Sequence, residues 1–310
     1  MGDLMRDLEF GWFLPTRGDT LDYTEPQQVP PSPEMFRRVV QTAENNGFEY
    51  ILLPVSALCW DAWITSAMLI GCTKSIRMLV AARPSYINPV LLAKMIATYD
   101  QMSEGRISIN LIAGQNEVEN KAEGTGLTKE QRYAAMEEEV QICKALWETP
   151  EGVDYDGKFY QLKQAQIGTE TYQKPYPSFY LGGGSHQAAE LSARHSDVHL
   201  FWGDTVERVE SNIAEMCALA GQYGRADDIA ASQLPPRLSR PIGGATVGAR
   251  EYLESVGILK TLHDGMCAMA KVCQHYPNVT PQNCRILSIG SGFVKQTILR
   301  GRGAEGGRAR

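Results

Sequence analysis

Between residues 8 and 224, short apolar runs alternate with longer segments of helical period, and this rhythm restricts the fold more than any other feature of the chain. "LEFGWFLP" (8–15) is a strand ending at Pro15, followed by strands in "YILLP" (50–54), "IRMLVAAR" (76–83), "RISINLIAG" (106–114), "PSFYLGGG" (177–184) and "DVHLFWG" (197–203). Between them, Phe36, Val39, Val40 and Ala43 have helical spacing and Gly47 stops that helix. Further helices are read over 61–72, 88–103, 129–147, 186–195 and 204–223. One interruption, "VDYDGKFYQLK" (153–163), sets Asp-Gly between two aromatic arms and reads as a β-hairpin. Strand–helix units in series require parallel strands joined by right-handed crossovers. Near-continuous apolar strands fit a sheet covered on both faces. An open doubly wound sheet and a closed (β/α)8 barrel both satisfy this, and periodicity leaves the two open. No G-x-G-x-x-G follows the first strand, which counts against a dinucleotide-binding sheet.

After Arg225 the rhythm fails. The expected organisation is therefore a barrel domain over 1–230, a divergent segment over 231–293 and a basic, Gly-rich, disordered tail over 294–310. The formal charge is −6, and the tail sets Lys295, Arg300, Arg302, Arg308 and Arg310 against Glu305, so the body is more acidic still. Such a body is a poor nucleic-acid binder. The seven cysteines are odd in number, and the first four are too widely spaced for a compact disulfide framework. No signal peptide opens the chain and no apolar run reaches membrane-spanning length. The expectation is a cytoplasmic, reducing location with free thiols and no membrane contact.

In a parallel α/β protein, function gathers at the C-terminal ends of the strands. Those ends hold Arg17, Cys59, Arg83, Asn110, the run "GGGSHQ" (182–187) and Trp202. Three glycines followed by Ser185 at a helix start suit a phosphate, since the backbone can approach it and free N–H groups point at it. A simple capped turn is the alternative. Arg17 and Arg83 could bind an anion through their planar forks; pairing with a nearby acid such as Asp19 competes with that role. Tyr133 reads as a packed aromatic or as a phosphate neighbour. Cys59, beside Trp60, reads as packing or as part of a reactive site. His199 reads as a satisfied core residue. No H-E-x-x-H, C-x-x-C, G-x-S-x-G or P-loop occurs, and no metal site is expected.

The stretches "WFLPTRGD", "GFEYILLP", "CWDAW", "VAARPS", "PVLLAKMIATYDQMSEGRISINLIAG", "RYAAMEEE", "VDYDGKFY", "QKPYPSFYLGGGS" and "LFWGD" follow one family's order and spacing. Over residues 9–224 the chain resembles the flavin-dependent alkanesulfonate monooxygenases of the bacterial luciferase-like superfamily. The resemblance implies a (β/α)8 TIM barrel whose strands seven and eight are atypical or missing in this chain. It implies reduced FMN (FMNH2) as cofactor, supplied by a separate NAD(P)H-dependent flavin reductase. It also implies O2-dependent oxidation of a sulfonate to an aldehyde and sulfite, and a homo-oligomer. Related sulfone or alkane monooxygenases, and a catalytically inactive flavin-binding paralogue, are the alternatives. By the same resemblance Gly183, Gly184, Ser185 and Tyr133 hold the FMN phosphate, and Asn110 lies beside the flavin. Cys59 lines the flavin site without acting as a covalent nucleophile. Arg237 stands in place of part of a catalytic Arg-x-His pair whose histidine is here Ser239. Arg17, where the family has His, and Trp202 are expected at the substrate; a permanent cation at 17 could hold a sulfonate but could not relay a proton near neutral pH.

Overall fold

The computed structural model describes residues 11–19, 29–114, 116–200 and 206–225. They alternate as the sequence predicts: β1 (Gly11–Phe13), α1 (Pro33–Asn45), β2 (Tyr50–Leu53), α2 (Ala62–Ile70), β3 (Arg77–Ala82), α3 (Pro89–Ser103), β4 (Ile107–Leu111), α4 (Glu117–Ala122), α5 (Lys129–Glu148), β5 (Val153–Asp156), β6 (Gln161–Ala165), β7 (Phe179–Gly182), α6 (His186–His195), β8 (Val198–Leu200) and α7 (Val206–Gln222). Six parallel strands pair in the order β1-β2-β3-β4-β7-β8, and β5 and β6 form a separate antiparallel hairpin. Trp202, Arg237 and the expected segments 231–293 and 294–310 lie outside the described residues.

Register assigns the faces. Leu52 pairs with Leu79, Leu79 with Ser108, Ala81 with Asn110, Asn110 with Tyr180 and Tyr180 with Val198. These residues share one face, and the alternate set (Ile51, Leu53, Met78, Val80, Ile107, Ile109, Phe179 and Leu181) joins the helices in the main core. From the first face, Leu79, Tyr180 and Val198 join Tyr50, Leu200 and the partly buried Leu52 in a separate cluster. The rings of Tyr50 and Tyr180 stand 6.5 Å apart although β3 and β4 lie between their strands. On a flat sheet three strand spacings would hold them about 14 Å apart. The sheet therefore curls, with this face inside, as a partial barrel. That decides between the two architectures that periodicity left open.

Helix ends follow local chemistry. Ser32 caps α1 by accepting from the Met35 N–H at 3.1 Å, and the buried stripe Met35, Phe36, Val39, Val40 and Ala43 seats α1 on the sheet. Thr128 and Gln131 cap α5 reciprocally: the Thr128 N–H donates to Gln131 Oε1 at 2.8 Å and the Gln131 N–H to Thr128 Oγ1 at 3.3 Å. The short helix α4 is absent from the sequence reading. Six residues make too few turns for a stripe, Val118 is 78% exposed and Asn120 is its one buried side chain.

The hairpin forms where Asp156-Gly157 predicts it, although the loop is longer than a two-residue turn. Glu138 of α5 accepts the N–H groups of Lys158, Phe159 and Tyr160 at 2.8, 2.9 and 3.1 Å. A Cβ on Gly157 would stand 2.3 Å from Glu138 Oε2, so any larger residue would displace the Glu138 carboxylate from the loop.

Candidate active site

The loop from β7 into α6 carries Gly183, Gly184 and Ser185. Ser185 caps α6, its Oγ accepting from the Ala188 N–H at 3.3 Å, and the same Oγ lies 3.3 Å from the Tyr133 hydroxyl of α5. A Cβ on Gly183 would meet the Ala188 Cβ at 2.8 Å, whereas one on Gly184 would meet nothing within 4 Å among the described residues. Gly183 is thus a packing glycine, and Gly184 leaves open space in front of the helix start. Two hydroxyls, open backbone and a positive helix end form a cradle suited to an anion.

His199 steadies this loop. Its ring Nε2 lies 3.1 Å from the Gly183 carbonyl, which can only accept, so Nε2 carries the proton. Burial pushes its pKa down to about 4, and the ring stays neutral around pH 7. The sequence reading of a core histidine holds for its burial and for Nε2.

Asn110 lies near the C-terminal end of β4 on the inner face. It is 6% exposed, its Oδ1 has no hydrogen-bond partner among the described residues, and this oxygen sits 3.9 Å from where a Gly182 Cβ would be. An orphaned buried acceptor is costly, which makes it a natural contact for a bound donor.

Cys59 lies in the β2–α2 loop, partly buried. Its Sγ accepts from the Ser56 hydroxyl at 3.2 Å, and its N–H donates to the Ser56 carbonyl at 3.1 Å. The thiol helps to build a turn at the mouth of the sheet. Arg17 is exposed, in the turn after β1 that the Gly18 N–H closes on the Pro15 carbonyl at 2.9 Å.

Arg83 departs from the anion-binding expectation. Its guanidinium already holds Glu119 and Glu123, each at 2.5 Å, and donates to the Val55 carbonyl at 3.3 Å. Glu119 also accepts the Ala57 N–H at 2.7 Å, and Glu123 accepts the Tyr86 hydroxyl. The partners are Glu119 of α4 and Glu123 at its C-cap, brought in from far along the chain, rather than a neighbouring aspartate. The arginine binds the β2–α2 loop, the β3–α3 loop and α4 into one unit, and its fork is occupied.

Other fixings escaped the sequence reading. Arg132, 2% exposed, donates from Nε to the Ala113 carbonyl at 2.6 Å, from Nη1 to the Leu127 carbonyl at 2.8 Å and from Nη2 to Glu117 at 2.5 Å. It ties the loop after β4 to α4 and α5. "EEE" (137–139) looks like a solvated charge run. Instead Glu137 binds Arg194 and His195 of α6, Glu138 binds the hairpin loop, and Glu139 accepts from the Ser85 N–H at 2.5 Å and the Tyr160 hydroxyl at 2.6 Å. An α-helix turns about 100° per residue, so three successive side chains can serve three elements.

A profile of luciferase-like monooxygenases matches residues 8–239. The chain belongs to that family. Solved structures share its fold at low identity. EDTA monooxygenase from Chelativorans sp. BNC1 is 19% identical with a TM-score of 0.63, over 71% of this chain and 59% of that one. A long-chain alkane monooxygenase is 17% identical with a TM-score of 0.63, over 72% and 62%. The coenzyme F420-dependent tetrahydromethanopterin reductase from Methanopyrus kandleri is 19% identical with a TM-score of 0.59, over 72% and 63%. The chain covers less than two thirds of the length of each. Among the described residues, no helix is long and apolar enough to cross a membrane, and no cluster of side chains could hold a metal ion.

Proposed function

We propose that this luciferase-like chain is an FMNH2- and O2-dependent monooxygenase that desulfonates an alkanesulfonate. One oxygen atom would enter the substrate carbon to give an aldehyde and release sulfite, the other would leave as water, and the reduced flavin would supply the two electrons. A separate NAD(P)H-dependent flavin reductase would deliver that flavin in a reducing, cytoplasmic compartment. The observation that carries the reading is the Tyr133–Ser185 hydroxyl pair beside open Gly184 at the start of α6. This donor set fits the phosphate of FMN. The orphaned Asn110 Oδ1 fits a donor on the flavin ring.

Reduced flavin, when bound, supplies the oxygen-activating chemistry; the chain supplies binding, orientation and exclusion of water. Tyr133, Gly183, Gly184 and Ser185 would hold the phosphate, and Asn110 would orient the ring across the inner face. Cys59 would shape the flavin site from its turn. Arg17 and Trp202 would contact the sulfonate, and Arg237 would supply fixed positive charge to the reacting groups.

The test is sulfite release from C1 to C10 alkanesulfonates with flavin reductase, NAD(P)H, FMN and oxygen. No sulfite from any of them would sink the substrate assignment. A second reading, an apolar alkane or sulfone substrate, gains from two observations: the fork of Arg83 is occupied, and Leu58, Trp60 and Val118 are exposed around the β2–α2 loop and α4. Oxidation of those compounds without sulfite would favour it. FMN binding without any turnover would favour the inactive paralogue.

The cradle has its own test. Gly183→Ala forces Ala188 and the loop to move, which overpacking places at about 1–3 kcal/mol. Affinity for FMN, followed by flavin fluorescence, should fall about tenfold or more. Unchanged affinity would place the phosphate elsewhere.

A further inference from the structure

Glu139 is a buried acid that the proposed oxidation does not use. It lies in the middle of α5, 2% exposed. One oxygen, Oε1, accepts from both the Ser85 N–H at 2.5 Å and the Tyr160 hydroxyl at 2.6 Å, and that hydroxyl also lies 3.3 Å from Ser85 Oγ. Ser85 is held at φ +68°, a left-handed conformation that a non-glycine residue adopts only when its surroundings impose it. Two residues earlier the same loop carries Arg83, which grips the Val55 carbonyl and α4.

We propose that Glu139 is a positioning residue for the candidate site: its carboxyl, shared between Ser85 and Tyr160, fastens the β3–α3 loop to the β5–β6 hairpin and so sets the mouth beside Arg83. The proposal rests on the flavin-site reading only for what the mouth admits.

The fastening is sensitive to pH. Burial raises the pKa of Glu139 to about 7, opposed by its hydrogen bonds from Tyr160 and Ser85. The titratable groups that face it are Tyr160 from the hairpin and Cys143 one turn along α5, with Glu138 alongside, turned to the hairpin loop. Burial pushes both Tyr160 and Cys143 up, so neither ionises as pH rises from 6 to 8. Releasing the loop wets Glu139 and returns its pKa toward the ordinary value of 4.5. The fastened state therefore holds the proton more tightly than the released one. It is favoured fully at low pH and loses that preference as pH rises through about 7. Glu139→Gln imitates the neutral acid and should not respond.

Amide hydrogen exchange on the full chain, corrected for intrinsic rates, tests this. Between pH 6 and 8, protection of the Ser85 amide should fall about tenfold in the wild type, by linkage, and stay level in Glu139→Gln. Glu139→Ala should be poorly protected at both pH values. An equal pH response in Glu139→Gln, or wild-type protection in Glu139→Ala, would overturn the proposal. If Glu139→Ala does not fold, the comparison of Glu139→Gln with wild type decides alone. Affinity for oxidised FMN should follow the same pH curve in the wild type and be flat in Glu139→Gln. Exchange that responds without any change in FMN affinity would overturn the link to the site. FMN binding to no variant, with exchange still responding, would overturn the flavin reading and leave the positioning of the loop standing.

Discussion

Arg132→Leu is expected to lower the free energy of unfolding by about 3 kcal/mol or more, the largest single-residue loss among the fixings around the site. The guanidinium is 2% exposed and satisfies the carbonyls of Ala113 and Leu127, and at 3.2 Å that of Gly114, besides its pair with Glu117. Leucine fills much of the space but leaves those carbonyls without a donor. The check is a urea titration of both proteins: the midpoint should fall with the slope unchanged. A loss below about 1 kcal/mol would mean that water replaces the guanidinium at little cost. Because Glu117 is itself exposed, the carbonyls carry the effect and the ion pair adds little.

Asn110→Leu should act in opposite directions on stability and activity. Removing an orphaned buried acceptor should raise stability by about 1 kcal/mol. Removing the contact proposed between Asn110 and the flavin ring should cut turnover of the proposed reaction by about 100-fold or more. Such a trade is what a site optimised for binding predicts. Melting and turnover measured on the same preparation check it. A destabilised variant would mean that Oδ1 has a partner in the folded protein, and unchanged turnover would remove Asn110 from the flavin site.

The arrangement of elements was legible because it is written locally. Apolar runs of strand length alternate with segments of helical period, and Ser185 marks the start of its helix. The cradle was partly legible as well, since glycines before a capping serine report a close backbone approach whatever surrounds them. Arg83 shows where such reading stops. Its position at a strand's C-terminal end suggests an anion site, but its occupants are Glu119 and Glu123, 36 and 40 residues away. α4, which carries Glu119 and ends at Glu123, has no apolar stripe to announce it. Glu137, Glu138 and Glu139 form an ordinary charge run in sequence, and each finds a different element in the fold.

The sequence alone determined a parallel α/β chain of the luciferase-like family, with its hairpin and a glycine-rich turn into a serine-capped helix, because strand and helix periods and turn chemistry act over a few residues. The family resemblance implied a barrel and brought Tyr133 to the glycine loop; the tertiary structure added the curl itself and the 3.3 Å Tyr133–Ser185 contact, and it alone decided that Arg83 is occupied and that Glu139 accepts from Ser85. Those outcomes depend on how the crossovers stack the helices around the strands. A shift of a few ångströms there makes or breaks a hydrogen bond without changing any local pattern.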